Sequence, residues 1–169
     1  MITKIIVSFF AFSVYASSAC EDIQKSYISG DYTKCAKQYS EAKDLSQECR
    51  YLAALCDMGN YEYDKARYEL SLLSVPDKKS EKLSGVNALA LNSLTEVAYL
   101  KGEYSKARTL SGEINSVLSK KNPNSYEYAI SEILLTKSYL DTKDSFSARK
   151  RISMLKLTTD PLLYSCLEP

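Results

Sequence analysis

The sequence predicts an all-α protein of about four helical hairpins, and two observations carry this prediction. Glycine and proline are scarce, at 5 and 4 of 169 residues, whereas a sandwich or barrel of short strands needs many turn residues. A short segment also recurs, because "SGDYTKCAKQYSEA" at 29–42 is matched by "KGEYSKARTLSGEI" at 101–114. Repetition of this kind indicates stacked helical hairpins. A generic helical bundle with similar turns is the alternative.

The first 19 residues are typical of a secretory signal peptide. Lys4 is the only charge among them, residues 5–16 form an apolar run, and small residues follow. The run is shorter than the roughly 20 apolar residues that span a bilayer. We therefore expect residues 1–19 to be removed and the protein to be exported to the periplasm or secreted.

Two kinds of cleavage compete at this N-terminus. Ordinary signal peptidase would cut after Ala16 or Ala19. "SSAC" at 17–20 also resembles a bacterial lipobox, although Ser17 stands where leucine is usual. In that alternative Cys20 is acylated and anchors the protein to a membrane.

Each repeated segment is typical of a helix, a tight turn and a second helix. The glycine is expected to take the left-handed conformation that ends the first helix. The polar residue after it is expected to satisfy free N–H groups at the start of the second helix. The residues in these two roles are Gly30 and Asp31, Gly59 and Asn60, and Gly102 and Glu103.

An aromatic residue follows each turn, and a small residue comes three positions later. We expect the aromatic ring to pack back onto the first helix and the small residue to let the two helices approach closely. Apolar residues at spacings of three and four flank the turns, as one face of a helix requires. The fourth segment, around Phe146, has no glycine, and its small residue comes two positions after the aromatic. The aromatic and small pairs are Tyr32 and Cys35, Tyr63 and Ala66, Tyr104 and Ala107, and Phe146 and Ala148.

These segments resemble the tetratricopeptide repeat family, in which a turn is followed by an aromatic residue, alanine, a large apolar residue and alanine. The chain departs from that pattern at two positions. Cys35 replaces the first alanine, and Ser111 replaces the large apolar residue that follows that alanine in the pattern. The resemblance implies an α-solenoid over residues 20–158, followed by a tail at 159–169.

In that family the first helix of each hairpin lines an inner groove that holds a peptide or a partner's helix. The resemblance therefore implies a partner-binding groove formed by Gln24, Tyr27, Asn92, Glu96, Tyr99, Glu132, Thr136 and Tyr139. The three tyrosines take nearly equivalent places, and tyrosine offers a large contact area with a polar tip. The alternative is that these rings only pack between neighbouring helices.

The cysteine positions predict two disulfides in an exported chain. Cys35 and Cys56 are equidistant from the expected turn "DLSQE" at 44–48, so antiparallel helices would place them opposite each other. Cys20 and Cys49 each lie ten residues before the glycine of their segment. They would form the second bridge if Cys20 is not acylated, and Cys166 would then be spare.

The composition argues against enzymatic catalysis and against binding of nucleic acid. The chain has no histidine, so catalytic triads and imidazole metal ligands are excluded. No phosphate-binding loop, dinucleotide fingerprint or Cys-x-x-Cys motif occurs. The formal charge is +1 and falls to about zero without residues 1–19, and no basic patch suggests nucleic acid. We expect no enzyme activity, no cofactor and no metal.

The expected function is that of an exported adaptor or scaffold that binds another protein of the cell envelope. The resemblance suggests a lipoprotein of pilus, secretion or envelope assembly, with acylated Cys20 as its membrane contact. One alternative is a secreted immunity or effector protein that engages a foreign protein. Another is a disulfide-stapled hydrolase that acts on cell-wall material.

Overall fold

The computed structural model describes residues 18–75, 85–121 and 125–158, and these ranges contain helices and no strands. The all-α prediction is therefore confirmed. The predicted signal peptide up to residue 17, the tail at 159–169 and Cys166 lie outside the described residues. The helices are α1 (Ser18–Ile28), α2 (Tyr32–Glu41), α3 (Gln47–Gly59), α4 (Tyr63–Leu73), α5 (Gly85–Leu100), α6 (Tyr104–Lys121), α7 (Tyr126–Asp141) and α8 (Ser145–Thr158).

The chain divides into two compact units, with the boundary after Val75. The first unit contains α1–α4 and the second contains α5–α8. In each unit consecutive helices pack as antiparallel hairpins, and the first helices of the two hairpins also touch: α1 meets α3, and α5 meets α7. Continuation of the four hairpins as one solenoid stays a prediction. No helix within the described ranges is long and apolar enough to cross a membrane.

All four turns within the hairpins close with the same hydrogen bonds. In the first, the N–H of Gly30 bonds to the carbonyl of Tyr27 at 3.0 Å, and the N–H of Asp31 bonds to that of Ser26 at 3.0 Å. This is the Schellman arrangement, which needs a left-handed residue after the helix. The left-handed residues are Gly30, Tyr61, Gly102 and Lys143.

The prediction for Gly30 and Gly102 is confirmed, but the prediction for Gly59 is wrong. Gly59 is the last residue of α3, and the left-handed conformation falls at Tyr61 with φ of 63°. Asn60 correspondingly caps the end of α3, and Glu62 stands at the start of α4. When repeats are counted between the left-handed residues, the interval from Tyr61 to Gly102 equals the interval from Gly102 to Lys143.

Gly59 has a different role, which is to allow close approach of a neighbouring ring. A Cβ added there would lie 2.5 Å from ring atoms of Tyr32. Tyr32 also lies beside Tyr27 of α1, with ring centroids 5.9 Å apart. The aromatic after the first turn therefore packs on its own first helix, as predicted, and is covered by the next hairpin.

The small residues behave as predicted at every turn, because the side chains of Cys35, Ala66, Ala107 and Ala148 are completely buried. The prediction for Phe146 is wrong, because its side chain is 82% exposed. Phe146 stands two positions before the buried Ala148, whereas Tyr32 stands three positions before Cys35, so the two rings lie on different faces of their helices.

Both predicted cysteine pairs lie at disulfide distance in the first unit. The Cα atoms of Cys35 and Cys56 are 6.0 Å apart, and those of Cys20 and Cys49 are 5.6 Å apart. The first pair joins α2 to α3, and the second joins α1 to α3. Cross-links thus join three of the four helices of this unit, and α4 is held by packing.

Candidate protein-interaction site

The second unit brings Tyr99 and Tyr139 to the same edge, where α5 and α7 end. The Tyr99 hydroxyl donates a hydrogen bond to the carboxylate of Asp141 in the last turn of α7. The Tyr99 ring also meets the ring of Tyr104 at the start of α6, edge to face, with centroids 5.6 Å apart. Contacts from two neighbouring elements therefore hold the Tyr99 ring in one orientation.

Tyr139 is held by a cation from α6. The guanidinium carbon of Arg108 lies 5.4 Å from the centre of the Tyr139 ring. The same guanidinium donates to the Thr142 hydroxyl at 2.8 Å. A cation over a tyrosine face contributes roughly 0.5–1 kcal/mol at an exposed site, so Arg108 orders the Tyr139 ring.

Two exposed leucines complete this edge. Leu100 and Leu140, next to the tyrosines in the chain, are 44% and 45% exposed. We call Tyr99, Leu100, Arg108, Tyr139 and Leu140 the tyrosine edge. Tyrosine and arginine dominate the binding energy of protein interfaces when the surrounding contacts exclude water. An edge with pre-ordered rings and unburied apolar surface is suited to contact another protein.

The Tyr99 hydroxyl is fixed as a hydrogen-bond donor. Burial raises the pKa of Tyr99 well above its usual range, and the hydrogen bond and charge of Asp141 raise it further. A phenol beside a carboxylate cannot easily release its proton, because two negative charges would then face each other. The edge therefore keeps this bond at every physiological pH.

The other predicted groove residues of the second unit lie inside it. Asn92, Glu96, Glu132 and Thr136 are all buried. The Asn92 amide donates to the backbone carbonyl of Glu127 at 2.9 Å, and the Thr136 hydroxyl donates to the carbonyl of Glu132 at 2.7 Å. The first bond links α5 to α7, and the second stays within α7. Both therefore support the packing of the unit.

Glu132 is the centre of a buried polar cluster. Its Oε1 accepts hydrogen bonds from the Asn115 amide at 2.6 Å and from the Arg151 guanidinium at 3.0 Å. Burial raises the pKa of Glu132 above its usual value. The charge of Arg151 and the hydrogen bonds to the carboxylate offset only part of this rise. The cluster joins α6, α7 and α8, because each helix contributes one of the three side chains.

Glu96 is a second buried carboxyl, only 2% exposed. Burial raises its pKa from 4.5 to about 7, because a charged carboxylate is poorly solvated away from water. Glu96 therefore titrates close to neutral pH.

In the first unit, Gln24 is partly exposed and Tyr27 is buried. Burial of five of the eight predicted groove residues leaves Gln24, Tyr99 and Tyr139 able to touch a partner directly. The partner-binding role of the eight stays a prediction.

Sequence reasoning missed Arg108, Asp141 and the exposed leucines of the tyrosine edge. Leu100 and Leu140 carry a signal in the sequence, because each stands directly after a tyrosine of the repeated pattern. Arg108 and Asp141 carry none, since they act across helices. In the described ranges no group of three or more histidine, cysteine, aspartate or glutamate side chains could hold a metal ion.

Comparisons of the chain with protein-family models, with curated protein sequences and with solved structures found no match. The resemblance to tetratricopeptide repeats therefore depends on the repeated pattern of the sequence.

Proposed function

We propose that the protein is a non-enzymatic, exported adaptor of the tetratricopeptide-like type, and that the tyrosine edge is its contact surface for another protein. The observation that carries this proposal is the edge itself. Tyr99 and Tyr139 are held in place by Asp141 and Arg108, so little side-chain entropy is lost when a partner packs against them. Preorganised aromatic surface of this kind raises affinity without new contacts.

Export to an oxidising compartment is supported by the two cysteine pairs of the first unit. Such pairs persist outside the cytosol and are rare inside it. The compartment that fits an adaptor of the cell envelope is the periplasm.

The two uses of Cys20 exclude each other, because acylation modifies the same sulfur that the bond to Cys49 needs. We propose the disulfide form as the main one, since the two residues already face each other across α1 and α3 with Cα atoms 5.6 Å apart. Mass spectrometry of the mature N-terminal peptide distinguishes the forms. A diacylglyceryl group on Cys20 would replace this assignment with a membrane anchor.

The proposed function is tested by replacing both tyrosines of the edge with alanine. The variant Tyr99→Ala/Tyr139→Ala should lose partner proteins that the wild-type chain captures by cross-linking in periplasm, and the purified partner should bind it at least about tenfold more weakly. The matched control is Tyr61→Ala, because Tyr61 is an exposed tyrosine in the first unit. Helical circular dichroism confirms that each variant is folded.

Unchanged binding by the double variant, with the wild-type partner identified, would move the contact away from the tyrosine edge. A tight one-to-one complex with a secreted toxin would instead identify an immunity protein.

A further inference from the structure

The helix α8 presents an aromatic side chain and two cations together to solvent. Arg149 and Lys150 stand three and four positions after Phe146, so the three side chains share one face of the helix. All three are exposed, whereas Ala148 on the other side of α8 is completely buried. We call Phe146, Arg149 and Lys150 the α8 face. None of them belongs to the tyrosine edge.

The protein does not neutralise the two cations of the α8 face. Within the described part of the chain, no carboxylate forms an ion pair with Arg149 or Lys150. α8 contains no acidic residue, and the neighbouring Arg151 is paired with Glu132 at 3.0 Å. Asp144, just before the helix, accepts a hydrogen bond from a backbone N–H of the first turn at 3.1 Å. The positive charge of the α8 face is therefore available to an anionic partner.

The second unit as a whole carries the same sign of charge. Between residues 85 and 158 there are eleven lysines and arginines and seven aspartates and glutamates, and two of the seven, Glu96 and Glu132, are buried. The first unit has the opposite balance, with seven basic and ten acidic residues between 18 and 75. An anionic surface would therefore attract the second unit and repel the first.

Phe146 indicates which kind of anionic partner fits. Its side chain is 82% exposed, the highest value among the large hydrophobic side chains of the described residues. A ring that projects this far into solvent does not line a groove, so a protein partner would need a fitted pocket for it. The interface of a bilayer accepts a projecting aromatic ring without such a pocket, while its anionic headgroups attract the cations beside the ring.

We propose that the α8 face is a peripheral membrane contact. Arg149 and Lys150 bind the headgroups of anionic phospholipids, and the Phe146 ring enters the interface beside them. This contact needs no acyl group on Cys20 and uses no residue of the tyrosine edge, so the inference goes beyond the proposed function.

The contact is expected to be reversible and sensitive to salt, because it consists of two cations and one ring. Each lysine or arginine near an anionic membrane raises the affinity by about fivefold. Salt screens this attraction beyond a distance of about 8 Å at physiological ionic strength. Binding should therefore be measured at low salt and should weaken when salt is added.

The first experiment uses the absence of tryptophan from the chain. Phe146→Trp places a single fluorescent reporter on the α8 face, and Tyr61→Trp places one at an exposed position of the first unit as the matched control. All proteins are oxidised and lack residues 1–19, so neither the N-terminal apolar run nor a lipid on Cys20 contributes. Vesicles of equal parts phosphatidylglycerol and phosphatidylcholine should shift the emission of Phe146→Trp to shorter wavelength. Pure phosphatidylcholine should not shift it, and neither vesicle should shift Tyr61→Trp.

Vesicle flotation at low salt measures the contribution of each group. Arg149→Gln/Lys150→Gln, the α8 double variant, should bind the anionic vesicles at least about tenfold more weakly. Phe146→Ala should weaken binding by about fivefold, because less apolar surface leaves water. Lys34→Gln/Lys37→Gln, the α2 double variant, removes two exposed lysines from the first unit and should change binding by less than about twofold. Circular dichroism confirms that each variant is folded.

Four results would overturn the proposal. They are equal binding of wild type to both kinds of vesicle, wild-type binding by the folded α8 double variant, an equal loss in the α2 double variant, and no emission shift for Phe146→Trp.

Two further results would assign the surfaces differently and would also overturn it. Binding of soluble polyglutamate as tight as that of anionic vesicles, with both unaffected by Phe146→Ala, would assign the α8 face to an acidic protein. A loss of vesicle binding in Tyr99→Ala/Tyr139→Ala as large as that in Phe146→Ala would assign the membrane contact to the tyrosine edge.

Discussion

Removal of the Cys35–Cys56 cross-link should destabilise the first unit by an amount that follows from loop length. The two cysteines are separated by 21 residues. In the chain-entropy model, a cross-link that closes a loop of this size restricts the unfolded chain enough to contribute about 3 kcal/mol. We therefore expect Cys35→Ala/Cys56→Ala to lower the free energy of unfolding by at least about 3 kcal/mol, since both side chains are also completely buried.

The assay is urea denaturation followed by far-UV circular dichroism, combined with amide hydrogen exchange of α2 and α3. The exchange experiment assigns the loss to the helices that the bridge joins. Wild type treated with a reducing agent keeps the buried sulfur atoms and loses both cross-links, so it gives the combined effect of the two bridges without new cavities.

The reasoning would be refuted by a variant whose free energy of unfolding stays within about 0.5 kcal/mol of the oxidised wild type. Faster exchange confined to α5–α8 would refute it as well. The Cys20–Cys49 bridge closes a loop of similar length, 29 residues. The two loops overlap, so removing both bridges should cost less than the sum of the single effects.

Three further substitutions test the packing of the chain. Glu96→Gln should stabilise the protein by about 3 kcal/mol at pH 8 and by little below pH 4.5. The folded pKa of Glu96 lies above the unfolded value, so wild-type stability falls as pH rises from 4.5 to about 7; urea denaturation at several pH values measures this. Gly59→Ala should destabilise by about 1–3 kcal/mol, because the new Cβ meets the Tyr32 ring at 2.5 Å; thermal unfolding measures it. Arg151→Ala should destabilise by about 3 kcal/mol at pH 8 and less at pH 5, because it leaves the buried carboxylate of Glu132 without its cation; urea denaturation at both pH values checks it.

Each of these substitutions has a matched control. For Glu96→Gln the control is Glu113→Gln, which removes an exposed carboxylate and should not change the pH dependence of stability. If the difference in unfolding free energy between Glu96→Gln and wild type did not change with pH, the burial argument would be contradicted. Gly112→Ala, with no atom within 4 Å of the added Cβ, should stabilise its helix by roughly 0.5–1 kcal/mol. If both glycine substitutions shifted the melting temperature upward, close approach at Gly59 would be ruled out. Arg149→Ala is the control for Arg151, since it removes an exposed arginine of the same helix.

The elements and their turns are set by local sequence. A glycine with an aromatic two positions later and a small residue after it closes a hairpin through contacts within the same twenty or so residues. The left-handed conformations of Gly30 and Gly102 and the burial of Ala107 could therefore be predicted. The Cys35–Cys56 pair could be predicted because antiparallel helices joined by a short turn bring equidistant positions together. The Cys20–Cys49 pair could be predicted because the two residues take corresponding places on the first helices of successive hairpins.

The residues of the candidate sites were decided by tertiary structure. Burial of Glu96 and Glu132 depends on what other helices place beside them, and no local pattern encodes that.

The side chains that hold the tyrosine edge in place are distant in sequence. Tyr99, for example, bonds to Asp141, which is 42 positions further along the chain. The sequence by itself therefore determined that this chain forms helical hairpins, what closes them and how its cysteines pair. Only the packing of one hairpin on the next decided which side chains remain at the surface to meet a partner.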